Sequence, residues 1–454
     1  MIAAASPPGR VHVVGAGLAG LAAAVELADH GHEVALYEAG PQAGGRCRSF
    51  LDAELGVRID NGNHLLLSGN DAALAYIERI GALDTFEQAA EAAIPFIDLT
   101  TGERWALRPG RGRVPWWVLR AARRVPGTRL RDYLDALWLR RAAPGDTVAS
   151  VLAPNTVQFR RLWEPLAVAA LNTGVTEASA QLFWHVMAET IGRGAASCRP
   201  MVAREGLSES LVDPALSFLS RRGSDVRFGA RLKALSFAQD RVSELSFDGG
   251  TLALRPQDSV ILAVPAAIAA RLIPGLVVPD DYAPIVNGHF RYAVSSLGPA
   301  NAPLFAGLVG GTAEWVFRKR AVVSVTVSAA DRIVDRPTEE LRDLLWHDVA
   351  RAFGLAAGPA PPARIVKERR ATFRATPDQL RRRPASATAW SNLHLAGDYV
   401  DTGLPATIEG AIRSGFAAAA RVRQRRDLAP TTNSGPAPAT PAPTPIEERQ
   451  RALP

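Results

Sequence analysis

The chain has 454 residues, of which 47% are hydrophobic and 21% are charged, and its formal charge is +7. The length predicts two or three structural units, and the composition is that of a folded globular protein, which excludes fibrous and wholly disordered classes. The two cysteines, Cys47 and Cys198, are far apart in sequence, so we predict no disulfide framework, no metal site and a reducing, cytoplasmic environment.

Residues 11–38 predict a βαβ unit. The short apolar runs at 11–14 and 34–37 are typical of buried parallel strands, and the alanine-rich stretch 18–30 between them is typical of a helix. Glycines and Glu26 interrupt this segment, so it is too short and too polar to span a membrane. The preceding ten residues offer one arginine behind two prolines, which is unlike the basic start of a signal peptide.

Three glycines occupy the predicted turn between the first strand and the helix, as Gly15-x-Gly17-x-x-Gly20. In a dinucleotide site Gly15 permits the tight turn, Gly17 lets a pyrophosphate approach the backbone, and Gly20 lets the helix pack on the strand. N–H groups at the helix start stabilise the diphosphate charge, and Glu38 can accept hydrogen bonds from a ribose. An acidic residue at this position disfavours a 2′-phosphate.

Two further segments favour a flavin over a nicotinamide dinucleotide. A second glycine pair followed by an arginine, at 44–46, can wrap around the other side of a diphosphate. Near the far end of the chain, 393–398 predicts a strand that ends in an acid, and 405–411 predicts the start of another helix, with a proline near its first turn. We therefore expect a second helix dipole in the site and FAD as the cofactor.

Residues 108–141 combine positive charge with aromatic side chains. They include ten arginines, two aspartates, Trp116, Trp117, Tyr133 and Trp138. This combination is typical of a segment that binds an anionic membrane surface, to which each nearby cation contributes about 1 kcal/mol. A solvated arginine face and a nucleic-acid contact are the alternatives, but no nucleic-acid motif accompanies the charge. We expect a peripheral membrane surface as a partner, on the inner face of the cytoplasmic membrane, and no nucleic acid.

The nucleotide-binding segments resemble those of the FAD-dependent amine oxidase and phytoene desaturase superfamily, whose C-terminal element here has the sequence GDYVDTGLPATIEGAIRSG, at 397–415. The resemblance implies an α/β fold, in which a Rossmann-like FAD-binding domain of the glutathione-reductase type is joined to a mixed-sheet plus helical substrate domain. It also implies FAD contacts from Gly15, Gly17, Leu18, Ala19, Gly20, Glu38, Ala39, Gly44, Gly45, Arg46, Asn61, Gly62, Leu232, Gly397, Asp398, Pro405, Thr407 and Ile408.

Four segments are similar to the hydroxysqualene dehydroxylase family within that superfamily: 60–67, 162–173, 178–183 and 371–377. The chain departs from that family's pattern at Asn63, Gly174 and Tyr399, where glutamine, proline and tryptophan are expected. The resemblance implies a FAD-dependent oxidoreductase of squalene and hopanoid synthesis. Its substrate would be a hydrophobic C30 isoprenoid, hydroxysqualene, which loses its hydroxyl group and takes a hydride from reduced flavin. The electron donor stays open.

Three other interpretations share this scaffold. A carotenoid-type desaturase and a flavin amine oxidase belong to the same superfamily, and a lipid carrier without flavin is a non-enzymatic alternative. The intact flavin-binding segments argue against the carrier.

Candidate residues for the chemistry lie in the family-like segments. His64 is the candidate general acid, which would protonate or orient the leaving hydroxyl, because imidazole titrates near neutral pH; a structural histidine is the alternative. Trp163, Glu164, Phe183 and Arg374 are predicted to line the substrate path. Core packing explains the two aromatic residues equally well, and an ion pair explains the glutamate and the arginine equally well.

The resemblance divides the chain into discontinuous domains. The FAD-binding domain comprises 1–70, 195–275 and 385–427, and the substrate domain comprises 71–194 and 276–384. In the middle FAD piece we predict antiparallel strands at 226–228, 231–235 and 242–247, and a buried strand at 259–265. The substrate domain is predicted to have helices first and then strands, at 286–292, 304–309 and 322–327. Residues 428–454 are rich in Pro, Ala and Thr and predict a disordered tail.

Overall fold

The computed structural model describes residues 9–297, 303–319, 321–356 and 358–428. Strands in this part of the chain are β1 (Val11–Val14), β2 (Val34–Tyr37), β3 (Ser49–Asp52), β4 (Val57–Asp60), β5 (Leu66–Leu67), β6 (Phe86–Gln88), β7 (Ile94–Asp98), β8 (Arg104–Leu107), β9 (Pro200–Ala203), β10 (Asp225–Arg227), β11 (Leu232–Ala238), β12 (Arg241–Phe247), β13 (Gly250–Ala253), β14 (Ser259–Leu262), β15 (Tyr282–Arg291), β16 (Phe305–Val309), β17 (Trp315–Lys319), β18 (Val322–Val327), β19 (Ala363–Phe373) and β20 (Leu393–Leu395). The α-helices are α1 (Leu18–Asp29), α2 (Asp71–Arg79), α3 (Asp135–Arg140), α4 (Val148–Val151), α5 (Glu164–Leu171), α6 (Ala180–Glu189), α7 (Asp213–Arg221), α8 (Ala266–Leu272), α9 (Thr338–Phe353), α10 (Pro377–Arg381) and α11 (Ile408–Leu428).

A five-stranded parallel sheet with the order β10-β2-β1-β14-β20 forms the centre of one part of the molecule. On one face, Val13 and Leu36 pack in a core cluster with residues of α1, α2, α7 and α11. On the other face, Tyr37 packs with α8 and the antiparallel sheet β11-β12-β13, and its ring stacks on Phe247 at 4.7 Å. Because both faces are covered, β2 and most of β14 are continuous apolar runs in the sequence.

A seven-stranded mixed sheet forms the centre of the other part, with the order β19-β15-β18-β17-β16-β7-β8. Its strand pairs are antiparallel except for β16 and β7, which are parallel. Helix α9 packs on one face, where Leu341 and Leu345 join a core cluster with Val323 and Val325. Helices α3 to α6 contribute to another core cluster, which includes Phe96 of β7.

The predicted βαβ unit forms at β1, α1 and β2, but two other predictions are wrong. The stretch predicted as an antiparallel strand at 226–228 forms β10, which pairs parallel to β2 with Val226 opposite Leu36. The alternation of polar and apolar side chains predicts a strand but not whether it pairs parallel or antiparallel, which explains the error. The segment 71–194 was expected to be helical, yet it also supplies β6, β7 and β8, and β7 pairs with β16 from a distant part of the chain.

The predicted tail at 428–454 lies outside the described residues beyond Leu428. Among the residues that the structure does describe, none of the helices combines the length and the apolar character needed to cross a bilayer.

Helices α1 and α11 approach each other closely at Gly415. A Cβ atom at this position would lie 2.2 Å from the carbonyl oxygen of Ala19 and 3.0 Å from the Cβ atom of Ala22. We expect Gly415→Ala to lower the free energy of unfolding by about 1–3 kcal/mol, because the backbone of α1 cannot move aside without separating the two helices. Urea denaturation followed by circular dichroism measures this change.

Gly145→Ala is the matched control, since a Cβ atom at Gly145 would meet no atom within 4 Å. We expect it to change the free energy of unfolding by less than about 1 kcal/mol. Equal unfolding free energies for the two variants would contradict the close contact between α1 and α11.

Candidate active site

A cavity of about 700 Å³ lies between the parallel sheet and the seven-stranded sheet. The segments that follow β1, β2, β14 and β20 all line it, and the carboxyl ends of parallel strands are where open α/β sheets bind ligands. The cavity wall contains all of the predicted FAD-binding residues except Gly20, namely Gly15, Gly17, Leu18, Ala19, Glu38, Ala39, Gly44, Gly45, Arg46, Asn61, Gly62, Leu232, Gly397, Asp398, Pro405, Thr407 and Ile408.

The three glycines of the first turn differ in what surrounds them. Gly15 has a φ of +105°, and a Cβ atom there would lie 2.3 Å from the carbonyl oxygen of Ala263. A Cβ atom at Gly20 would lie 1.8 Å from the carbonyl oxygen of Gly15, so Gly20 faces the strand rather than the cavity. A Cβ atom at Gly17 would meet no atom within 4 Å, and Gly17 caps α1 without a side-chain hydrogen bond. This open space beside the helix start fits a diphosphate, which the N–H groups of the first turn can bind.

Both backbone groups of Ala16 connect this turn to the neighbouring segments. Its N–H donates to Glu38 Oε2 at 2.8 Å, and the N–H of Gly40 donates to Oε1 at 2.8 Å. Its carbonyl oxygen accepts from the N–H of Gly44 at 2.8 Å. Gly44 and Gly45 have φ values of +102° and +56°, which side chains disfavour. The second glycine pair is thereby folded onto the first turn, and the Glu38 carboxylate is fixed with lone pairs left to accept from ribose hydroxyls.

Arg46 and Asp398 are brought together at the cavity wall. The two side chains form an ion pair with an N–O distance of 2.7 Å, and the attraction of Asp398 raises the pKa of Arg46 above its ordinary value. Next to the aspartate, the N–H of Gly397 donates to Ser414 Oγ at 2.8 Å, which ties the end of β20 to α11. The second and third nucleotide-binding segments predicted from the sequence therefore meet in space.

The start of α11 also faces the cavity. Pro405, Thr407 and Ile408 line it, and the Thr407 hydroxyl accepts from the N–H of Gly410 at 3.1 Å. Glu409, in the first turn of α11, accepts from two N–H groups at the start of α2, at 3.1 Å and 2.8 Å. The second helix start that the sequence predicted is thus present and fixed in position.

The other half of the cavity is apolar. The seven-stranded sheet, α5, α6 and the turn after α6 supply Ile94, Leu166, Val186, Ile191, Trp315 and Phe317 to its wall. Apolar walls of this kind fit a hydrocarbon and disfavour water.

A chain of hydrogen bonds between polar side chains lies where the two halves of the cavity meet. Asn63 Nδ2 donates to Thr326 Oγ1 at 3.1 Å, and the Thr326 hydroxyl donates to Asn287 Oδ1 at 2.8 Å. Asn287 Nδ2 donates to the carbonyl oxygen of Asn61 at 3.4 Å. Asn287 and Thr326 were not among the residues predicted from the sequence. The signal available was a polar amide in a strand that the pattern predicts to be buried, since buried polar groups need partners.

His64 lines the cavity, as expected for a residue near the cofactor. The protein surrounds it, and burial lowers the pKa of its imidazole to about 4. The ring is therefore neutral at pH 7, in contrast to the expectation that it titrates near neutral pH. A neutral imidazole can accept or donate a hydrogen bond, but it holds no extra proton to release.

Trp163 and Phe183 lie outside the cavity wall formed by the described residues. Their rings form an edge-to-face pair with centroids 6.3 Å apart, and both side chains are buried in a core cluster. Leu166 on α5 and Val186 on α6 face the cavity in their place. Core packing, the alternative considered for these aromatic residues, accounts for both.

Glu164 and Arg374 also lie outside that wall. Burial raises the pKa of Glu164. Arg374 forms ion pairs with Asp281, at 3.2 Å, and with Asp331. Ion pairing, the alternative considered for Arg374, accounts for its position.

The chain matches the family model described as flavin containing amine oxidoreductase over residues 18–423. It is 47% identical to the hydroxysqualene dehydroxylase of Sinorhizobium fredii, over 91% of this chain and 98% of that protein. It is 48% identical to the hydroxysqualene dehydroxylase of Rhodopseudomonas palustris, over 90% of this chain and 97% of that protein.

Among solved structures, the cyclohexylamine oxidase of Brevibacterium oxydans superposes with a TM-score of 0.71 at 15% identity, over 93% of this chain and 100% of that chain. Putrescine oxidase bound to putrescine superposes with a TM-score of 0.66 at 15% identity, over 92% of this chain and 99% of that chain. These similarities confirm the predicted α/β fold, with its Rossmann-like domain and mixed-sheet substrate domain. The chain belongs to the flavin containing amine oxidoreductase family.

Proposed function

We propose that this protein uses FAD to remove the hydroxyl group of hydroxysqualene reductively, which gives squalene. The observation that carries the proposal is a single cavity, which has residues of a dinucleotide-binding type along one half and apolar residues along the other. Three relatives that are 44–48% identical over about nine-tenths of the chain bear the name of this activity. A relative named as a carotenoid desaturase is only 23% identical.

Residues of the first half of the cavity would hold the FAD. The N–H groups at the start of α1 and the turn at 44–46 would bind the diphosphate, and Glu38 would accept from the adenosine ribose. Asp398 and the start of α11 would contact the ribityl chain and the ring, where a helix dipole stabilises negative charge. A reduced flavin supplies a hydride when it is bound.

The apolar half of the cavity would bind the hydrocarbon and exclude water. Exclusion of water matters because loss of an allylic hydroxyl leaves a carbocation, which water would capture before hydride does. Trp315 and Phe317 lie in this wall, and the π-electrons of aromatic rings stabilise a nearby positive charge.

Anaerobic turnover tests the activity. Protein loaded with FAD and reduced with dithionite should convert hydroxysqualene to squalene, which gas chromatography with mass spectrometry detects. The same protein with oxidised FAD should give no squalene. If instead the air-oxidised enzyme oxidises a polyene or an amine and the reduced enzyme forms no squalene, the protein is a desaturase or an amine oxidase.

Gly17→Ala tests the FAD site. We expect the dissociation constant for FAD to rise at least tenfold, or about 1.4 kcal/mol, because the methyl group would occupy the open space beside the start of α1. The unfolding midpoint of the FAD-free chain should not change, since a Cβ atom at Gly17 meets no protein atom within 4 Å. Quenching of FAD fluorescence measures the dissociation constant.

Gly249→Ala is the control, because Gly249 has the same open surroundings and lies outside the cavity wall. It should bind FAD as the wild type does. A Gly17→Ala variant with wild-type affinity for FAD would contradict the assigned diphosphate position.

We further propose that the surface at 114–138 binds the anionic inner face of the cytoplasmic membrane. Eleven large hydrophobic side chains are exposed in the described residues, and seven of them lie in this surface: Val114, Trp116, Leu119, Leu130, Leu134, Leu137 and Trp138. Such a concentration of exposed apolar side chains in one segment is uncommon on soluble proteins and favours an interaction site. The ten arginines of the surrounding segment favour an anionic partner.

The start of the surrounding segment 108–141 contacts the turn after α6. The N–H of Ala195 donates to the carbonyl oxygen of Gly110 at 2.9 Å, and the same turn supplies Ile191 to the cavity wall. A hydrocarbon taken up from the bilayer at this surface would enter the cavity from this side.

Flotation with lipid vesicles tests the membrane surface. Wild-type protein should bind phosphatidylglycerol vesicles, and more weakly at high salt, because salt screens exposed charges. Trp116→Ser combined with Trp138→Ser should weaken the binding at least tenfold, since burying one large apolar side chain contributes about 1.5–3 kcal/mol. Leu51→Ser combined with Leu83→Ser is the control, because both leucines are exposed elsewhere. Equal binding of the two double variants, or a preference for duplex DNA over vesicles, would contradict the proposal.

A further inference from the structure

A buried carboxyl group lies directly behind the cavity wall. Glu314 precedes β17, and its backbone N–H donates to the carbonyl oxygen of Thr326 at 3.1 Å. Its Oε2 accepts from the backbone N–H of Ser328 at 2.7 Å, and the Ser328 side chain is close enough to the same carboxyl group to lower its pKa. Ser328 itself lines the cavity. Ser328 therefore lies between this carboxyl group and the cavity in which a substrate would lie.

The serine is held firmly in this position. The following residue, Ala329, has a φ of +43°, and its N–H donates to Asn172 Oδ1 at 2.7 Å. Asn172 Nδ2 donates in turn to Thr372 Oγ1 at 2.9 Å. A left-handed backbone at a non-glycine residue is costly, and it persists where surrounding contacts fix it.

The surroundings of Glu314 favour its protonated form. Burial raises the pKa of the carboxyl group to about 7, with the like charge of Glu164 as a smaller cause that acts in the same direction. The hydrogen bonds from Ser328 oppose this shift only in part. At neutral pH a large share of Glu314 therefore carries a proton.

The other charged groups on the surrounding elements have partners of their own. Burial raises the pKa of Glu164, and the charge of Arg160 offsets this shift in part. On α9, the Asp348 carboxylate is fixed by two backbone N–H groups, at 2.6 Å and 2.9 Å. Asp331 is paired with Arg374. In the described part of the chain, no lysine or arginine is among the causes that shift the pKa of Glu314.

We propose that the Glu314 carboxyl group, acting through the Ser328 hydroxyl, protonates the hydroxyl group that leaves the substrate. This inference rests on the proposed dehydroxylation. The proton of Glu314 passes to the Ser328 oxygen, and the Ser328 proton passes to the substrate oxygen. The carbon–oxygen bond then breaks, and its electron pair leaves with the oxygen as water. The allylic carbon is left positive, and a bound reduced flavin would supply the hydride that it needs. Glu314 is left as a carboxylate and regains a proton from solvent.

His64, the candidate from the sequence, is less suited to this step. Its imidazole is neutral at pH 7, because burial lowers its pKa to about 4. It can orient the substrate hydroxyl by a hydrogen bond, whereas Glu314 holds a proton that can be transferred.

Steady-state kinetics of the FAD-loaded enzyme with hydroxysqualene test the proton source. General acids typically contribute about 10²–10⁴-fold to rate, so Glu314→Gln should lower kcat at least about 100-fold while FAD binding and the unfolding midpoint stay as in the wild type. The wild-type kcat should fall as pH rises through about 7, because the acid loses its proton. This pH dependence should be absent in Glu314→Gln.

Two further variants separate proton transfer from structure. Ser328→Ala keeps the backbone N–H that binds Glu314 and removes the hydroxyl, so kcat should fall at least about tenfold. Glu164→Gln removes a like charge, so the pKa of Glu314 should fall and the loss of kcat should begin at a lower pH, with the maximal kcat retained. A purely structural role of Glu314 would leave the pH profile of Glu164→Gln unchanged.

Infrared difference spectra of the FAD-loaded enzyme give a readout apart from turnover. A protonated carboxyl band should titrate near pH 7 in the wild type and in Ser328→Ala, and it should be missing in Glu314→Gln. If the wild type forms squalene and Glu314→Gln keeps its kcat and pH profile, or if that band is absent from the wild type, the inference is wrong. A wild type that forms no squalene would overturn the proposed function and this inference with it.

Discussion

The close approach of backbone segments at the first glycine turn is the constraint on which the cavity depends. Gly20 lets α1 lie against the carbonyl oxygen of Gly15, and this contact places the start of the helix beside the end of β1. Ala16, between the glycines, then uses its N–H to hold Glu38 and its carbonyl oxygen to hold Gly44. Side chains larger than hydrogen at the packed glycines would separate these segments, so one backbone geometry sets the positions of the helix start, Glu38 and the second glycine pair together.

Burial has opposite effects on the two kinds of ionisable group near the apolar half. It removes charge from His64, whose pKa falls to about 4, and it keeps the proton on Glu314, whose pKa rises to about 7. Both shifts follow from the cost of a charge in a medium of low polarity. The surroundings that would keep water from a carbocation thus also maintain a neutral acid that can donate a proton. A carboxylate would need a cation beside it to stay charged in these surroundings. Within the described part of the chain, no lysine or arginine shifts the pKa of Glu314.

The predicted cofactor residues, except Gly20, lie together at the cavity wall, whereas the predicted substrate residues Trp163, Glu164, Phe183 and Arg374 do not, and the difference has a physical reason. Gly15, Gly17 and Glu38 act within one βαβ unit, so their spacing in the chain determines their geometry. The apolar half depends on contacts between distant segments, such as the pairing of β7 with β16. Tertiary packing decides which face of α5 and α6 meets the cavity, and it directs Trp163 and Phe183 into the core. No local sequence pattern shows which face of α5 or α6 lines the cavity.

The surface at 114–138 differs from an ordinary exposed loop in how it is attached. Trp117 and Leu139 are buried in the core, whereas Trp116 and Trp138, adjacent to them in sequence, are more than half exposed. Tyr133 fixes the backbone by accepting from the N–H of Val125 at 2.8 Å. The exposed side chains therefore belong to a segment that is itself folded and anchored to the core, so their exposure is not due to local unfolding. Exposure of these apolar side chains to water is unfavourable, and burial in a bilayer would remove that cost. The arginines between them would attract this part of the protein to an anionic membrane.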